Sequence, residues 1–353
     1  MTDAPPPPPS PLRLRFDADA LRTNWRALDA LSGQAKAGAA VKADAYGIGA
    51  VRAVRTLADA GCRTFFVAHW GEVADLLPLV QPEQIAVLHG PMNDADVAFA
   101  KASGVRPVIN TLSQARRWRE AGGAACHLMV DTGINRLGLG IAELGDPVLG
   151  DLDIDICMSH LASADEDVAQ NDVQRARFQS VREQVGARRY SLANSAGIAL
   201  GAAYHADLTR PGLALYGGIA RPELAGCIAQ VAFPEVALIQ VRDLREGDLI
   251  GYNATFTAQQ AMRVGVLAIG YADGYLRCWS GKGRFDWRGH EVPVVGRVSM
   301  DLTIVDLSNV PECREGDWLT ARYNLPQAAR ESGLSQYELL TLMGRRFSRF
   351  HTI

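Results

Sequence analysis

Eight short apolar runs punctuate the chain between residues 37 and 210, at 37–43, 64–68, 85–89, 106–110, 125–131, 154–160, 189–194 and 206–210. Each is nearly continuous rather than alternating, which is the pattern of a parallel strand buried on both faces. Helix-like segments fill most of the intervals: Ala50–Ala60, Glu72–Val80, Asp94–Ser103 and Ser113–Ala121. The intervals after the fifth and seventh runs lack a clear helical period. Eight strand–helix alternations predict an α/β fold, a (β/α)8 TIM-type barrel. An open doubly wound sheet is the competitor, but no Gly-x-Gly-x-x-Gly follows an early run.

The flanks differ in kind. Beyond about residue 232, alternating or β-branched runs at Val236–Val241, Arg263–Ile269, Glu291–Val295 and Thr303–Asp306 are separated by turn signals. Arg-Glu-Gly-Asp occurs at 245–248 and again at 314–317, each time before an apolar pair, as a turn entering a strand. A helix around Ser335–Leu342 follows. Residues 12–232 thus read as the barrel and 233–353 as a C-terminal all-β domain. Leu12, Leu14 and Phe16 alternate with arginines in a half-buried strand that can pack on the β domain, and Asp17 caps a helix with Leu21, Trp25, Leu28 and Leu31 on one face. Residues 1–11, with Pro5–Pro9, read as a disordered leader.

Composition removes several classes of partner. The formal charge is −3 with no basic cluster, which argues against nucleic acid or an anionic membrane. No run of eighteen apolar residues exists, and the N-terminus lacks the basic and apolar regions of a secretory signal. Six cysteines lie far apart without Cys-x-x-Cys or Cys/His ligand spacing, so no metal is expected and the cytoplasm is the default location.

In a barrel the reacting groups sit where strands end at the C-terminal face. The first run ends in Val41-Lys42-Ala43-Asp44-Ala45-Tyr46-Gly47. Lys42, with apolar neighbours, should have a partly desolvated ammonium and a lowered pKa. The plain alternative is a lysine snorkelling from a strand end. His160 closes the sixth run and reads either as a catalytic group or as a satisfied rim histidine. Asn194-Ser195-Ala196-Gly197 and Arg210-Pro211-Gly212 close the seventh and eighth, where barrels often bind phosphate, although ordinary turn chemistry also suits them. A lysine, two such turns and a strand-end arginine together point to a phosphorylated carbonyl cofactor held as a Schiff base. Pyridoxal 5'-phosphate (PLP) is the candidate.

The segment 41–47 resembles the lysine motif of bacterial alanine racemases, PLP enzymes with a barrel followed by a β domain. The resemblance continues in order through Asp131-Thr132-Gly133 with Arg136-Leu137-Gly138, Ala193-Asn194-Ser195-Ala196, Arg210-Pro211-Gly212 with Leu215-Tyr216-Gly217, Gly270-Tyr271-Ala272-Asp273-Gly274-Tyr275, and Gly296-Arg297-Val298 with Met300-Asp301. It runs from about residue 12 to the C-terminus. It implies that Lys42 carries PLP and that Tyr46, Ser195 and the backbone at Gly212 and Leu213 hold the phosphate, with Asn194 alongside. Arg210 would face the pyridine nitrogen, and His160 would lie against the cofactor and link Arg210 to Tyr252. Tyr252 would come from the β domain of the other subunit of a homodimer with shared active sites. Arg136 and the backbone at Met300, beside Asp301, would bind the substrate. Tyr271 would narrow the entrance, with Arg277 and Arg297 further out. Seen alone, these tyrosines read as interface aromatics and the outer arginines as solvated charges.

The implied reaction interconverts L- and D-alanine, supplying D-alanine for peptidoglycan. It needs a proton-transfer group on each face of the substrate, Lys42 on one and Tyr252 on the other. A phenol has a pKa near ~10, so positive charge from His160 backed by Arg210 is expected to poise Tyr252. Arg210 does not readily give up a proton, so the ring nitrogen it faces should stay unprotonated. Alternatives are a broader racemase for serine or larger residues, a non-catalytic PLP carrier, and a decarboxylase of the same fold. Tyr252 argues against the carrier, and Cys278 and Cys313 lie in no decarboxylase-like motif. Four departures stand out: Met129 replaces a lysine that many members carry as a carbamate to orient the arginine, Ile48 replaces a histidine, Ser299 stands where cysteine is common, and the tail lacks a frequent tyrosine.

Overall fold

The computed structural model describes residues 8–351. The chain divides into two compact units, Asp19–Ala229 and a second made of the N-terminal residues to Ala18 with Gln230 onward.

The first unit contains eight parallel strands in sequence order. The first runs from Lys36–Ala37 through Gly38 to Ala39–Ala40, followed by Phe65–Val67, Ile85–Val87, Arg106–Ile109, Cys126–Asp131, Ile154–Met158, Arg189–Ser191 and Leu208–Thr209. Closure is explicit. Leu208 pairs with Lys36 and Thr209 with Ala37, while Asp207 N–H donates to the Tyr190 carbonyl at 3.0 Å. Gly38 lies between the two halves of the first strand, where a Cβ would come within 3.0 Å of both the Phe66 ring and the Thr64 carbonyl. Phe66, Ala86, Val108, Met129, Ile156, Met158 and Leu208 form one buried cluster, so the barrel is a packed core rather than a pore.

All eight apolar runs are strands, and Ala50–Ala60 and Asp94–Ser103 are helices with the expected bounds. The helix expected over Glu72–Val80 does not form. A short 3-10 turn, Trp70–Glu72, leads into successive turns, and Pro78 has no N–H to give a helix through this stretch. The first helix, Ala18–Leu31, buries Leu21, Trp25 and Leu28, but Leu31 at its end is 45% exposed rather than part of that face.

In the second unit, Ala232–Leu244 is the organising strand. It pairs with Leu12–Phe16, Trp318–Ala321 and Met262–Leu267, all antiparallel, through an irregularity between Leu238 and Gln240. Thr303–Asp306, His290–Val295 and Arg284–Trp287 complete the antiparallel meander, and Ser348–His351 adds a parallel edge beside Leu12–Phe16. The two Arg-Glu-Gly-Asp repeats make the same turn: Asp248 and Asp317 each accept the N–H of the arginine three residues earlier, at 2.7 and 3.0 Å. The first seven residues of the expected leader lie outside the described residues. Of its remaining residues, Ser10 Oγ donates to the Arg346 carbonyl at 2.6 Å and Pro11 accepts from Ala237 N–H at 2.9 Å. Among the described residues, no helix is long and apolar enough to cross a membrane.

Candidate active site

Lys42 leaves the first barrel strand and enters an unusual turn. Ala43, Asp44, Ala45 and Tyr46 all lie in the left-handed region, with φ of 54°, 53°, 53° and 56°. Each such residue costs about 1–2 kcal/mol relative to right-handed geometry, so the turn must be held from outside. Asp44 Oδ1 accepts Ala50 N–H at 2.6 Å, tying the turn to the next helix. Glu72 Oε1 accepts Ala43 N–H at 2.7 Å. Burial is the main cause that pushes the Lys42 pKa down, and the Arg136 charge adds to it, while Glu72 opposes them.

His160 and Arg210 stand at the ends of the sixth and eighth strands. Arg210 is buried, and its guanidinium donates to Ser191 Oγ at 2.5 Å and to the Ser159 carbonyl. Burial lowers its pKa to about 10, which leaves it charged at neutral pH. His160 departs from expectation. Although part of its ring surface is accessible, burial pushes its pKa down to about 3, and Arg210, Arg136 and Lys42 reinforce the shift. Three neighbouring cations favour the neutral ring whatever the share of burial. Burial and the neighbouring cations thus both work against the expected positive charge on His160. Gln174, which the sequence reading did not single out, fixes the loop by donating to the His160 carbonyl at 3.0 Å.

The seventh and eighth strand ends bring Ser195 and Gly212 together with Tyr46. Ser195 Oγ accepts the N–H groups of Gly212 and Ala214 at 2.9 and 3.2 Å. Asn194 caps the short Ser195–Ala199 helix by accepting Gly197 N–H at 2.9 Å. A Cβ on Gly212 would fall 2.3 Å from the Tyr46 hydroxyl oxygen, so only glycine lets that hydroxyl approach the backbone. Leu213 is buried directly beside them. Two hydroxyls and a bare glycine backbone beside an eighth-strand arginine fit a phosphate ester.

Arg136 follows the fifth strand. Asp131 shapes its loop by accepting the N–H groups of Gly133, Ile134 and Arg136 at 2.7, 3.0 and 3.1 Å. Met129 lies below, buried, and a Cβ on Gly138 would come within 2.9 Å of its Cγ. Asp131 and packing against Met129 thus position the Arg136 loop. No hydrogen bond or ion pair holds its guanidinium among the described residues.

The other candidates belong to the second unit. Tyr252 sits at the tip of a hairpin in which Leu249 pairs with Thr257 and Ile250 with Phe256, and it is 71% exposed. Tyr271 and Met300 are brought together: Tyr271 N–H donates to the Ser299 carbonyl and Ala272 N–H to that of Met300, both at 3.0 Å. Arg277 lies over the Tyr271 ring at 5.2 Å. The Asp301 carboxylate is already engaged, since Arg346 bridges it and buried Asp273 at 2.7 Å each.

A closed parallel barrel with polar and charged side chains at its strand ends, followed by an antiparallel β unit, defines the architectural class. Residues 16–220 match the alanine racemase N-terminal domain and residues 232–351 the alanine racemase C-terminal domain. The biosynthetic alanine racemase of Agrobacterium fabrum is 40% identical, covering 97% of this chain and 94% of its own. A catabolic alanine racemase of Rhizobium johnstonii is 38% identical over 95% and 93%. The crystal structure of alanine racemase from Bartonella henselae with covalently bound pyridoxal phosphate superposes with a TM-score of 0.89 at 32% identity, covering 98% of this chain and all of that one. The chain belongs to the alanine racemase family and is a racemase acting on a small amino acid.

Proposed function

We propose that the chain interconverts L- and D-alanine with PLP attached to Lys42, as a cytoplasmic homodimer whose active sites are shared between subunits. One constellation carries this reading: the desolvated Lys42 amine, the Arg136 charge beside it and the Tyr46–Ser195–Gly212 cluster, all at barrel strand ends. Tyr46, Ser195, Gly212 and Leu213 would hold the cofactor phosphate, with Asn194 fixing the short helix alongside. Arg210 would face the ring nitrogen and His160 the ring. When bound, PLP supplies an electron sink for the pair left as the α-proton of the amino acid departs.

The remaining work falls to side chains. Arg136, free of a protein carboxylate, binds the substrate carboxylate, with the backbone at Met300 assisting. Tyr271 limits side-chain room at the entrance. Lys42, its amine pKa lowered by burial and Arg136, holds or releases a proton on one face of the α-carbon. Tyr252 of the partner subunit does the same on the opposite face, and its 71% exposure in the single chain suits a group lent to a neighbour. Arg210 keeps its proton at neutral pH, so it would donate to the ring nitrogen and limit the strength of the sink. With His160 neutral, Arg210 and Arg136 provide the positive potential that makes a tyrosine usable as a base.

Relatives of nearly equal identity carry biosynthetic and catabolic names. We assign this chain's product to peptidoglycan supply, which is checked by restoring growth to a bacterium that requires D-alanine. The chemical test is incubation with L-alanine in deuterium oxide. D-Alanine carrying α-deuterium is expected; carbon dioxide release, or cofactor binding without turnover, would overturn the proposal.

A further inference from the structure

Ala43–Tyr46 is the longest left-handed run among the described residues, and it joins Lys42 to Tyr46. Backbone strain of this kind persists only where the surroundings over-determine it. One carboxylate has a central part in that. Glu72 Oε1 accepts the N–H of Ala43, next to Lys42, at 2.7 Å, and Oε2 accepts the N–H of Ala68, just past the second strand, at 2.6 Å. A single side chain thus pins the ends of two neighbouring barrel strands, with both oxygens in charge-assisted bonds.

We propose that Glu72 is a positioning residue of the racemase, its carboxylate locking the left-handed turn so that Lys42 at the start and Tyr46 at the end engage PLP together. This rests on the reading that Lys42 carries PLP. The charge acts in the same place. Arg136 and Glu72 act on the Lys42 charge, and Lys42 with two arginines disfavours the protonated ring of His160; Arg136 disfavours the ammonium and Glu72 favours it. Removing the Glu72 charge should therefore make Lys42 easier to deprotonate, an effect that a purely mechanical brace would not have.

The chain has four lysines, Lys36, Lys42, Lys101 and Lys282, so each can be followed separately. The test labels the full-length, cofactor-free chain with an amine reagent across pH, reads each lysine by mass spectrometry, and titrates the same proteins with PLP. Glu72→Gln, nearly the same shape with one acceptor lost, should lower the Lys42 labelling midpoint and weaken PLP binding about tenfold, the effect of one charge-assisted hydrogen bond. Glu72→Asp, which keeps the charge, should return the midpoint towards wild type. The proposal is overturned if Glu72→Gln leaves either the Lys42 midpoint or PLP affinity unchanged. It is equally overturned if Lys36, Lys101 and Lys282 shift as well, since that signals general loosening. A wild-type chain in which borohydride fixes PLP to another lysine, or to none, contradicts the functional reading instead.

Discussion

Gly212→Ala probes the Tyr46–Ser195–Gly212 cluster with a single methyl group. The added Cβ would lie 2.3 Å from the Tyr46 hydroxyl oxygen, 3.0 Å from its Cζ and 3.4 Å from Ala40 Cβ. An unstrained contact of this type needs about 3.5 Å, so the hydroxyl must retreat by roughly 1 Å. Retreat is resisted, because Tyr46 is buried against Tyr216 at 4.9 Å between ring centroids, and Tyr216 is tied to the Ala40 carbonyl at 2.8 Å. Gly212 has φ −132° and ψ −82°, outside the regions an L-residue favours, so alanine adds a backbone penalty to the contact. Overpacking of this sort costs about 1–3 kcal/mol in stability. A hydroxyl displaced from a charged phosphate forfeits a further ~1.5–3 kcal/mol of binding, which weakens PLP by about 10- to 150-fold. The assay is PLP titration of the cofactor-free chain by absorbance, with urea unfolding alongside. Tyr46→Phe removes the clashing oxygen, so in that background the Gly212→Ala penalty should shrink by about 1 kcal/mol or more. Strictly additive effects, or wild-type PLP affinity in Gly212→Ala, would refute the reasoning.

Two further expectations concern pH and carbon dioxide. His127, buried at the start of the fifth strand, has its pKa pushed down to about 3, mainly by burial and then by Arg106 and Arg189, with Asp155 opposing; its 3.9 Å approach to Asp155 is therefore not an ion pair. A folded-state pKa below the ordinary 6.5 means that the unfolded chain binds the extra proton between about pH 3 and 6.5. Stability is full above that window and falls as pH drops through it, by on the order of 2 kcal/mol at pH 5 from this group. His127→Gln should flatten the slope of urea-unfolding free energy between pH 7 and pH 5, and an unchanged slope would count against the assignment. Because Met129 cannot be carbamylated, no lysine carbamate should lie beside Arg136. The racemisation rate should then be indifferent to bicarbonate added to carbon dioxide-stripped protein, and a bicarbonate-dependent rise would contradict this.

What the sequence revealed follows from the range of the interactions involved. Barrel strands were legible because burial on both faces leaves an apolar signature within each strand, as at 64–68 and 85–89. The helix Leu325–Ser332 escaped notice although Asn324 caps it and Pro326 sits in its first turn, both local signals that could have found it. Lys42, Ser195 and Arg210 stood out because they close strands. Glu72 could not, since its partner Ala43 lies 29 residues away and only the parallel pairing of the first two strands brings them together. The downward pKa shift at His160 has no sequence signal for the same reason: it depends on Arg210, Arg136 and Lys42 from other strand ends. Asp301 was legible from its motif, but its pairing with Arg346 was not, because the ion pair spans 45 residues.

Lys42 of one subunit and Tyr252 of its partner are proposed to assemble one racemase site. The most direct test co-expresses two chains, one carrying Lys42→Ala and the other Tyr252→Phe, each inactive as its own homodimer. Random pairing makes half of the dimers mixed, and each mixed dimer holds one intact site of two, so alanine racemisation should return to about a quarter of the wild-type rate per subunit. If the mixed preparation stays as inactive as its parents, Lys42 and Tyr252 do not meet across a subunit boundary and the account of the shared site is wrong.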